Sequence, residues 1–323
     1  MNDIFHIKTE EDFRLHCLET FRYQYEQVDI YRTFTDYLQI RPDEIHTIEQ
    51  IPFLPIEIFK NHILLDRSFT PGHYFQSSGT TQTLRSRHYI ADFELYQESI
   101  YRSFSQFIGA PEDFIFLGLL PNYSENQHSS LIYMVDFLMK TSGKPENGYF
   151  LYNHTELLAV LETLKKQQKK VILFGVSFAL IDFLEVVSGF SFPELTVIET
   201  GGMKGRKEEI TKDELLSLLK NGFGTERIFS EYSMTELLSQ AYSLEHNEYK
   251  TPAWMKILIR DPEDPLRFLP EGRTGAVNII DLANRHSCSF IATQDLGKST
   301  GDTFQILGRM DHSDIRGCSL LVT

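Results

Sequence analysis

Three cysteines in 323 residues, Cys17, Cys288 and Cys318, are too few and too scattered for a disulfide framework or a zinc knuckle. Any one that matters acts as a thiol. Cations are in deficit too: 31 Lys and Arg stand against 45 Asp and Glu, a formal net charge of -14. Sequence-independent nucleic-acid affinity needs clustered Lys and Arg that release counterions, so no nucleic-acid partner is expected. The one dense basic run, Lys165-Lys166-Gln167-Gln168-Lys169-Lys170, closes an amphipathic stretch, where cations complement a helix dipole. No uninterrupted apolar run approaches the ~20 residues that cross a bilayer, and Met1-Asn2-Asp3-Ile4 lacks a basic-then-apolar leader pattern. A cytoplasmic protein without a transmembrane segment is expected. Repeats and low-complexity linkers are missing as well, so organisation is read from hydrophobic pattern.

What is present is a 41% hydrophobic, 24% charged composition, that of a globular chain able to bury a real core. Residues 10–48 read as helical, with Phe13, Leu15, Cys17, Leu18, Phe21 and Tyr25 on recurring faces, until Pro52 and Pro55 break the pattern. His73-Tyr74-Phe75 and His88-Tyr89-Ile90 read as strands about a polar loop from Ser77 to Ser86. From residue 111 strand-then-helix units follow: strands at Ile115–Leu120, Tyr149–Tyr152, 171–174, 195–198 and Arg227–Phe229, with helices near 129–139, 155–168 and 177–187. That order predicts an α/β fold with a layered, largely parallel sheet covered by helices. Beyond residue 250 the strand signals at 255–259, 275–280, 290–293 and 304–307 predict a smaller β-rich subdomain. The expected division is a helical segment 1–50, an α/β core 51–250 and a β-rich part 251–311, together one large domain, then a short remnant 312–323.

In open α/β sheets, ligands bind beyond the carboxyl ends of the strands. The strands here are followed by Pro121-Asn122-Tyr123, Gly175-Val176-Ser177, Glu199-Thr200-Gly201-Gly202 and Ser230-Glu231-Tyr232-Ser233-Met234-Thr235-Glu236. Gly201-Gly202 would let a flat ring approach the backbone, Tyr232 offers a stacking face, and Glu236 a hard oxygen ligand for magnesium. Each has a plainer reading: a Gly-Gly pair is a common turn, and Glu236 near a helix start would complement the dipole. The loop Ser77-Ser78-Gly79-Thr80-Thr81-Gln82-Thr83 offers hydroxyls and successive amides that could nest an anion, with Arg85 and Arg87 just beyond. It lacks the lysine of a Walker A loop, and a hydroxyl-rich loop is as often surface decoration. Among the histidines, His128 precedes a helix at the same rim, where it could shape a pocket or simply be satisfied locally.

Taken together, Ser77-Ser78-Gly79-Thr80-Thr81, Glu199-Thr200-Gly201-Gly202, Ser230–Glu236, Thr293-Gln294-Asp295 and Leu307-Gly308-Arg309-Met310-Asp311 occur in the order seen in the adenylate-forming superfamily of acyl-CoA synthetases and luciferases. Within it the chain most resembles the acyl-protein synthetases of bacterial luminescence systems, through Ile51–Lys60, Ser129–Met134 and Asp314-Ile315-Arg316-Gly317-Cys318. The resemblance covers about residues 50–323. It implies that Ser77, Ser78, Gly79, Thr80 and Thr81 hold the ATP β- and γ-phosphates, and that Gly201, Gly202 and Tyr232 line the adenine pocket. Thr235 would meet the α-phosphate, Glu236 bind Mg2+, Asp295 accept from the ribose hydroxyls, and Arg309 reach ribose or phosphate. The implied reaction activates a carboxylic acid, a fatty acid by family, to an acyl-adenylate with release of pyrophosphate. An acyl-acceptor protein or CoA then takes the acyl group, and Cys318 matches the acceptor cysteine of the luminescence enzymes. The plainer reading of Cys318 is a buried thiol in a terminal strand. Two departures stand out. Gln82 replaces the glycine common after Thr81, and residues 312–323 hold no counterpart of the superfamily's mobile C-terminal domain or its catalytic lysine. An acyl-CoA or acyl-carrier ligase, and a nucleotide-binding protein without turnover, remain the other readings.

Overall fold

The computed structural model describes residues 4–78, 84–121, 126–187, 189–201 and 210–310. The expectations attached to Gly79, Thr80, Thr81, Gly202 and Cys318 lie outside the described residues. The chain divides into two compact units, Met1–Thr70 with Ala253–Thr323 and Pro71–Pro252.

The first unit begins with α1 (Glu10–Gln27), where Thr9 and Asp12 cap each other's backbone amides in a reciprocal box. Its buried stripe, Phe13, Cys17, Leu18, Phe21 and Gln24, follows the helical period; Leu15, expected on that stripe, is 53% exposed on the far side. At Val28 the backbone turns extended, and α2 (Asp29–Tyr37) starts in a new direction, so the expected continuous helical pattern is two helices and a change of axis. Then come β1 (Leu54–Pro55) and the single turn α3 (Ile58–Asn61).

The second unit opens with a hairpin of β2 (Tyr74–Gln76) and β3 (Arg87–Tyr89). Next is α4 (Phe93–Phe107), which the sequence pattern left unmarked; its buried face alternates Tyr96, Ile100 and Phe104 with Ser99 and Ser103, diluting the apolar signal. Then follow β4 (Ile115–Leu119), α5 (Ser130–Ser142), β5 (Gly148–Tyr149), α6 (His154–Lys166), β6 (Val171–Val176) and α7 (Ser177–Val186). The unit ends with β7 (Thr196–Thr200), α8 (Lys212–Phe223), β8 (Ile228–Tyr232), β9 (Ala241–Ser243) and β10 (Tyr249–Lys250). Within this unit the strands lie in the order β10-β9-β8-β7-β6-β4-β5. The pairs β4–β5, β4–β6, β6–β7 and β7–β8 are parallel, and β9 and β10 add antiparallel. Every residue of β4, β6 and β7 is buried, as strands covered on both faces must be. The expected strand over Tyr149–Tyr152 stops after Tyr149, because Asn153 N–H closes a turn on Phe150 O and leaves Tyr152 83% exposed.

The chain then completes the first unit with β11 (Met255–Arg260), β12 (Gly275–Asp281), β13 (Phe290–Thr300) and β14 (Thr303–Arg309), an antiparallel meander. β1 pairs parallel with the start of β13. Gln24 fastens α1 to this sheet: its amide nitrogen donates to Asn284 O and Arg285 O, and its oxygen accepts from Ser289 N–H. Those bonds satisfy a fully buried amide that would otherwise carry a desolvation cost of about 1–3 kcal/mol.

Candidate functional site

The polar loop does join strand to strand. β2 and β3 pair antiparallel with Phe75 opposite His88 and Gln76 opposite Arg87. The loop base is closed twice: Ser77 N–H donates to Ser86 O at 3.1 Å, and Ser86 N–H donates to Ser77 Oγ at 3.0 Å. Ser77 therefore sets the width of the loop, while Ser78 is exposed. In the hairpin, Phe75 of β2 packs against Phe93, Tyr96 and Tyr133. His128 is a clamp here. Its backbone O accepts from Gln76 N–H, its Nδ1 lies 2.8 Å from Tyr74 O, and its ring stacks on Tyr74 at 4.4 Å. The Arg87 guanidinium also lies over the Tyr74 ring, 5.2 Å from its centroid.

The carboxyl ends of β6, β7 and β8 lie side by side, because the strands are parallel and in register. Ser177, directly after β6, is within 2.8 Å of Glu199 Oε2 and 3.0 Å of Gly201 O. Gly201, directly after β7, has φ +71°, a left-handed conformation that favours glycine. Glu199 is fully buried and is paired with Lys212, the first residue of α8. Burial works against the Lys212 charge, yet Glu199 and Tyr249 raise its pKa above the ordinary lysine value. Thr200, the last residue of β7, donates to Glu231 on the next strand, which is 3% exposed. Burial pushes the Glu231 carboxyl up to about 7, the Ser233 and Thr200 hydroxyls pull the other way, and Glu199 adds repulsion.

β8 runs out at Tyr232, half-buried and edge-on to Tyr249 at 5.9 Å. The following residues make a turn, closed by Leu237 N–H to Met234 O at 3.0 Å, and no helix begins at Glu236. The dipole reading of Glu236 therefore lapses; it is a 4% exposed carboxylate in a turn. His88 of β3 braces that turn, with Nδ1 2.9 Å from Thr235 O. A ring N–H donating to that carbonyl links the strand leaving the hydroxyl loop to the turn carrying Thr235 and Glu236. Mg2+ is usually held by one or two carboxylates plus substrate phosphates rather than by a protein cage, and Glu236, a buried carboxylate in the turn that His88 braces, fits that pattern.

In the other unit Asp295 and Arg309 are register partners on β13 and β14, with Arg309 Nε donating to Asp295 Oδ1 at 3.2 Å. Asp295 is largely buried, while the Arg309 side chain is 77% exposed. Cys17 and Cys288 are core thiols: burial pushes Cys288 up to about 12 and Cys17 higher still, which keeps both un-ionised.

Lys212 and His88 belong to none of the motifs legible in the sequence. Lys212 did carry a signal, since a cation in the first turn of a helix opposes the macrodipole and asks for a carboxylate partner. His88 carried none, being one of several residues in a polar hairpin.

Among the described residues, no helix is long and apolar enough to cross a membrane. A family model described as "Acyl-protein synthetase, LuxE" matches residues 126–323, more than half of the chain. The long-chain-fatty-acid–luciferin-component ligase of Vibrio harveyi is 24% identical over 326 residues, spanning 93% of this chain and 84% of that protein. Its namesake from Aliivibrio fischeri is 22% identical over 328 residues, spanning 94% and 85%. A solved 2-hydroxyisobutyryl-CoA ligase, in complex with 2-HIB-AMP and CoA, aligns with a TM-score of 0.70 at 14% identity, over 94% of this chain and 70% of its own. ATP-bound MatB from Rhodopseudomonas palustris aligns with a TM-score of 0.56 at 15% identity, over 73% and 47%. The fold is thus the α/β architecture of adenylate-forming ligases. The family match runs through the β6–β8 rim, the Thr235-Glu236 turn and the Asp295 strand, and this chain belongs to the LuxE acyl-protein synthetase family.

Proposed function

We propose that the protein activates a fatty acid with ATP and then passes the acyl group to a protein thiol. The observation that carries this reading is the His88–Thr235 contact, which fastens the Ser77–Ser86 hairpin to the turn bearing Thr235 and Glu236. Two of the five motifs thereby belong to one braced substructure, as a phosphate loop and a metal carboxylate serving one nucleotide require.

In the first half-reaction an acid carboxylate oxygen attacks the α-phosphorus of ATP. The bond from that phosphorus to the bridging oxygen breaks, and pyrophosphate leaves. Ser78 and the rest of the Ser77–Thr81 loop hold the β- and γ-phosphates, and Thr235 contacts the α-phosphate. Mg2+, held by Glu236, would neutralise charge on the phosphate oxygens. Gly201, Gly202 and Tyr232 line the adenine pocket; Asp295 accepts from ribose hydroxyls, and Arg309 contacts ribose or phosphate. No protein nucleophile is needed for this half.

In the second half-reaction the Cys318 thiolate attacks the acyl carbon. The carbon–oxygen bond to AMP breaks, and the thiol proton has gone to solvent. Arg316, two residues away, favours the thiolate. An acceptor protein would take the acyl group onward. ATP as substrate and a thiol kept reduced both suit the cytoplasm.

The test is covalent labelling. Radiolabelled long-chain acid plus ATP gives a hydroxylamine-labile label on the chain, and Cys318→Ser abolishes it while acid-dependent pyrophosphate exchange survives. Free CoA capturing the acyl group equally well in the Cys318→Ser variant would replace this reading with a CoA ligase.

A further inference from the structure

Where it carries Thr293-Gln294-Asp295, β13 changes partner on one edge and slips register against β12 on the other. On one edge β1 pairs up to Ala292, and β14 takes over at Asp295. On the other, Asn278 faces Ala292 while Ala276 faces Leu296, so Val277 alone opposes Thr293, Gln294 and Asp295. This bulge interrupts the pairing with β12, leaving Val277 O and Thr293 O to accept from side chains.

Arg260 fills the gap. It belongs to β11, opposite Ala276, and is 7% exposed. Its Nη1 donates to Val277 O at 2.9 Å and to Asn278 Oδ1 at 2.7 Å, and its Nη2 donates to Thr293 O at 2.7 Å. Thr293 passes the constraint on, because its Oγ1 donates to Val277 O at 2.8 Å and accepts Asp295 N–H at 3.1 Å. A buried arginine is costly in a strand that could have carried an aliphatic residue, and burial does lower its pKa. Its planar fork satisfies three acceptors on two strands at once, which no aliphatic residue does.

We propose that Arg260 is a positioning residue for nucleotide recognition, locking the β12–β13 bulge so that Asp295 meets the ribose hydroxyls. This rests on the ribose role given to Asp295 above. The test measures kcat/KM in acid-dependent pyrophosphate exchange with ATP and with 2′,3′-dideoxyATP, which lacks both hydroxyls. Arg260→Met lowers the preference for ATP about tenfold, the scale of losing a hydrogen bond to a charged group. The loss enters KM for ATP and leaves KM for the dideoxy nucleotide unchanged. Thr293→Val, which removes the link without removing a buried charge, gives the same pattern and serves if Arg260→Met does not fold. Adding Arg260→Met to Asp295→Ala brings no further loss of preference. A folded Arg260→Met and Thr293→Val that keep the wild-type preference, while Asp295→Ala loses it, overturn the positioning role alone. An Asp295→Ala enzyme that keeps the preference overturns the ribose reading beneath it.

Discussion

Replacing Glu231 with Gln should stabilise the protein at neutral and alkaline pH and leave it unchanged in mild acid. The carboxyl lies between β7 and β9, 3% exposed, and its pKa rises from 4.5 to about 7 on folding. The folded state thus holds a proton that the unfolded chain releases over that window. Stability contributed by the protonated form is complete below about pH 4.5, falls as pH rises, and is gone above about pH 7. The difference is about 2.5 pK units, or roughly 3 kcal/mol at about 1.36 kcal/mol per unit. Glutamine keeps an oxygen to accept from Thr200 and brings no charge toward Glu199. Denaturant or thermal unfolding of wild type and Glu231→Gln at pH 5 and pH 8, taken as the difference between the two proteins, cancels the other titrations. The variant should gain up to about 3 kcal/mol at pH 8 and much less at pH 5. A variant that is less stable at pH 8, or a difference independent of pH, would refute the argument, because the native carboxylate would then be ionised and paired.

Lys212→Met strands the buried Glu199 carboxylate and should cost about 3–5 kcal/mol, whereas Lys212→Arg should recover most of it; unfolding midpoints decide. His88→Phe keeps a ring in the hairpin but cannot donate to Thr235 O. It should lower exchange kcat about tenfold without loss of the circular dichroism spectrum, and full activity would detach the turn from the hairpin. Cys288→Ala should leave acyl labelling intact, since a thiol raised to about 12 by burial carries almost no thiolate at neutral pH.

The parallel strands were readable because a strand covered on both faces must be an unbroken apolar run, and Ile115–Leu119 and Val171–Val176 are such runs. α4 was not, since Ser99 and Ser103 sit on its buried face; Ser99 meets Ser239 there at 3.0 Å, a long-range partner that no local window contains. β13 extends to Thr300 where the pattern suggested an end at Thr293, because Gln294, Lys298 and Ser299 are half-buried strand residues with polar side chains. The same holds for the site. Motif residues announce themselves by chemistry and spacing, so Gly201, Tyr232, Glu236 and Asp295 could be named as candidates from the chain alone. The residues that hold them, His88, Lys212 and Arg260, act across 147, 13 and 33 positions of sequence, and their partners exist only in the fold. Glu236 shows the limit from the other side: its identity suited either a metal or a helix start, and only the Met234–Leu237 turn removes the second.

The proposed function stands on acyl-adenylate formation at a site that depends on Glu236. Exchange of labelled pyrophosphate into ATP measures that step directly. Exchange should require a long-chain carboxylic acid and magnesium and should fall at least about a hundredfold in a folded Glu236→Gln variant, on the order of losing one charge-stabilising group in the transition state. Exchange undiminished in Glu236→Gln removes Glu236 from the site, and none with acids of any length despite ATP binding overturns the adenylation itself.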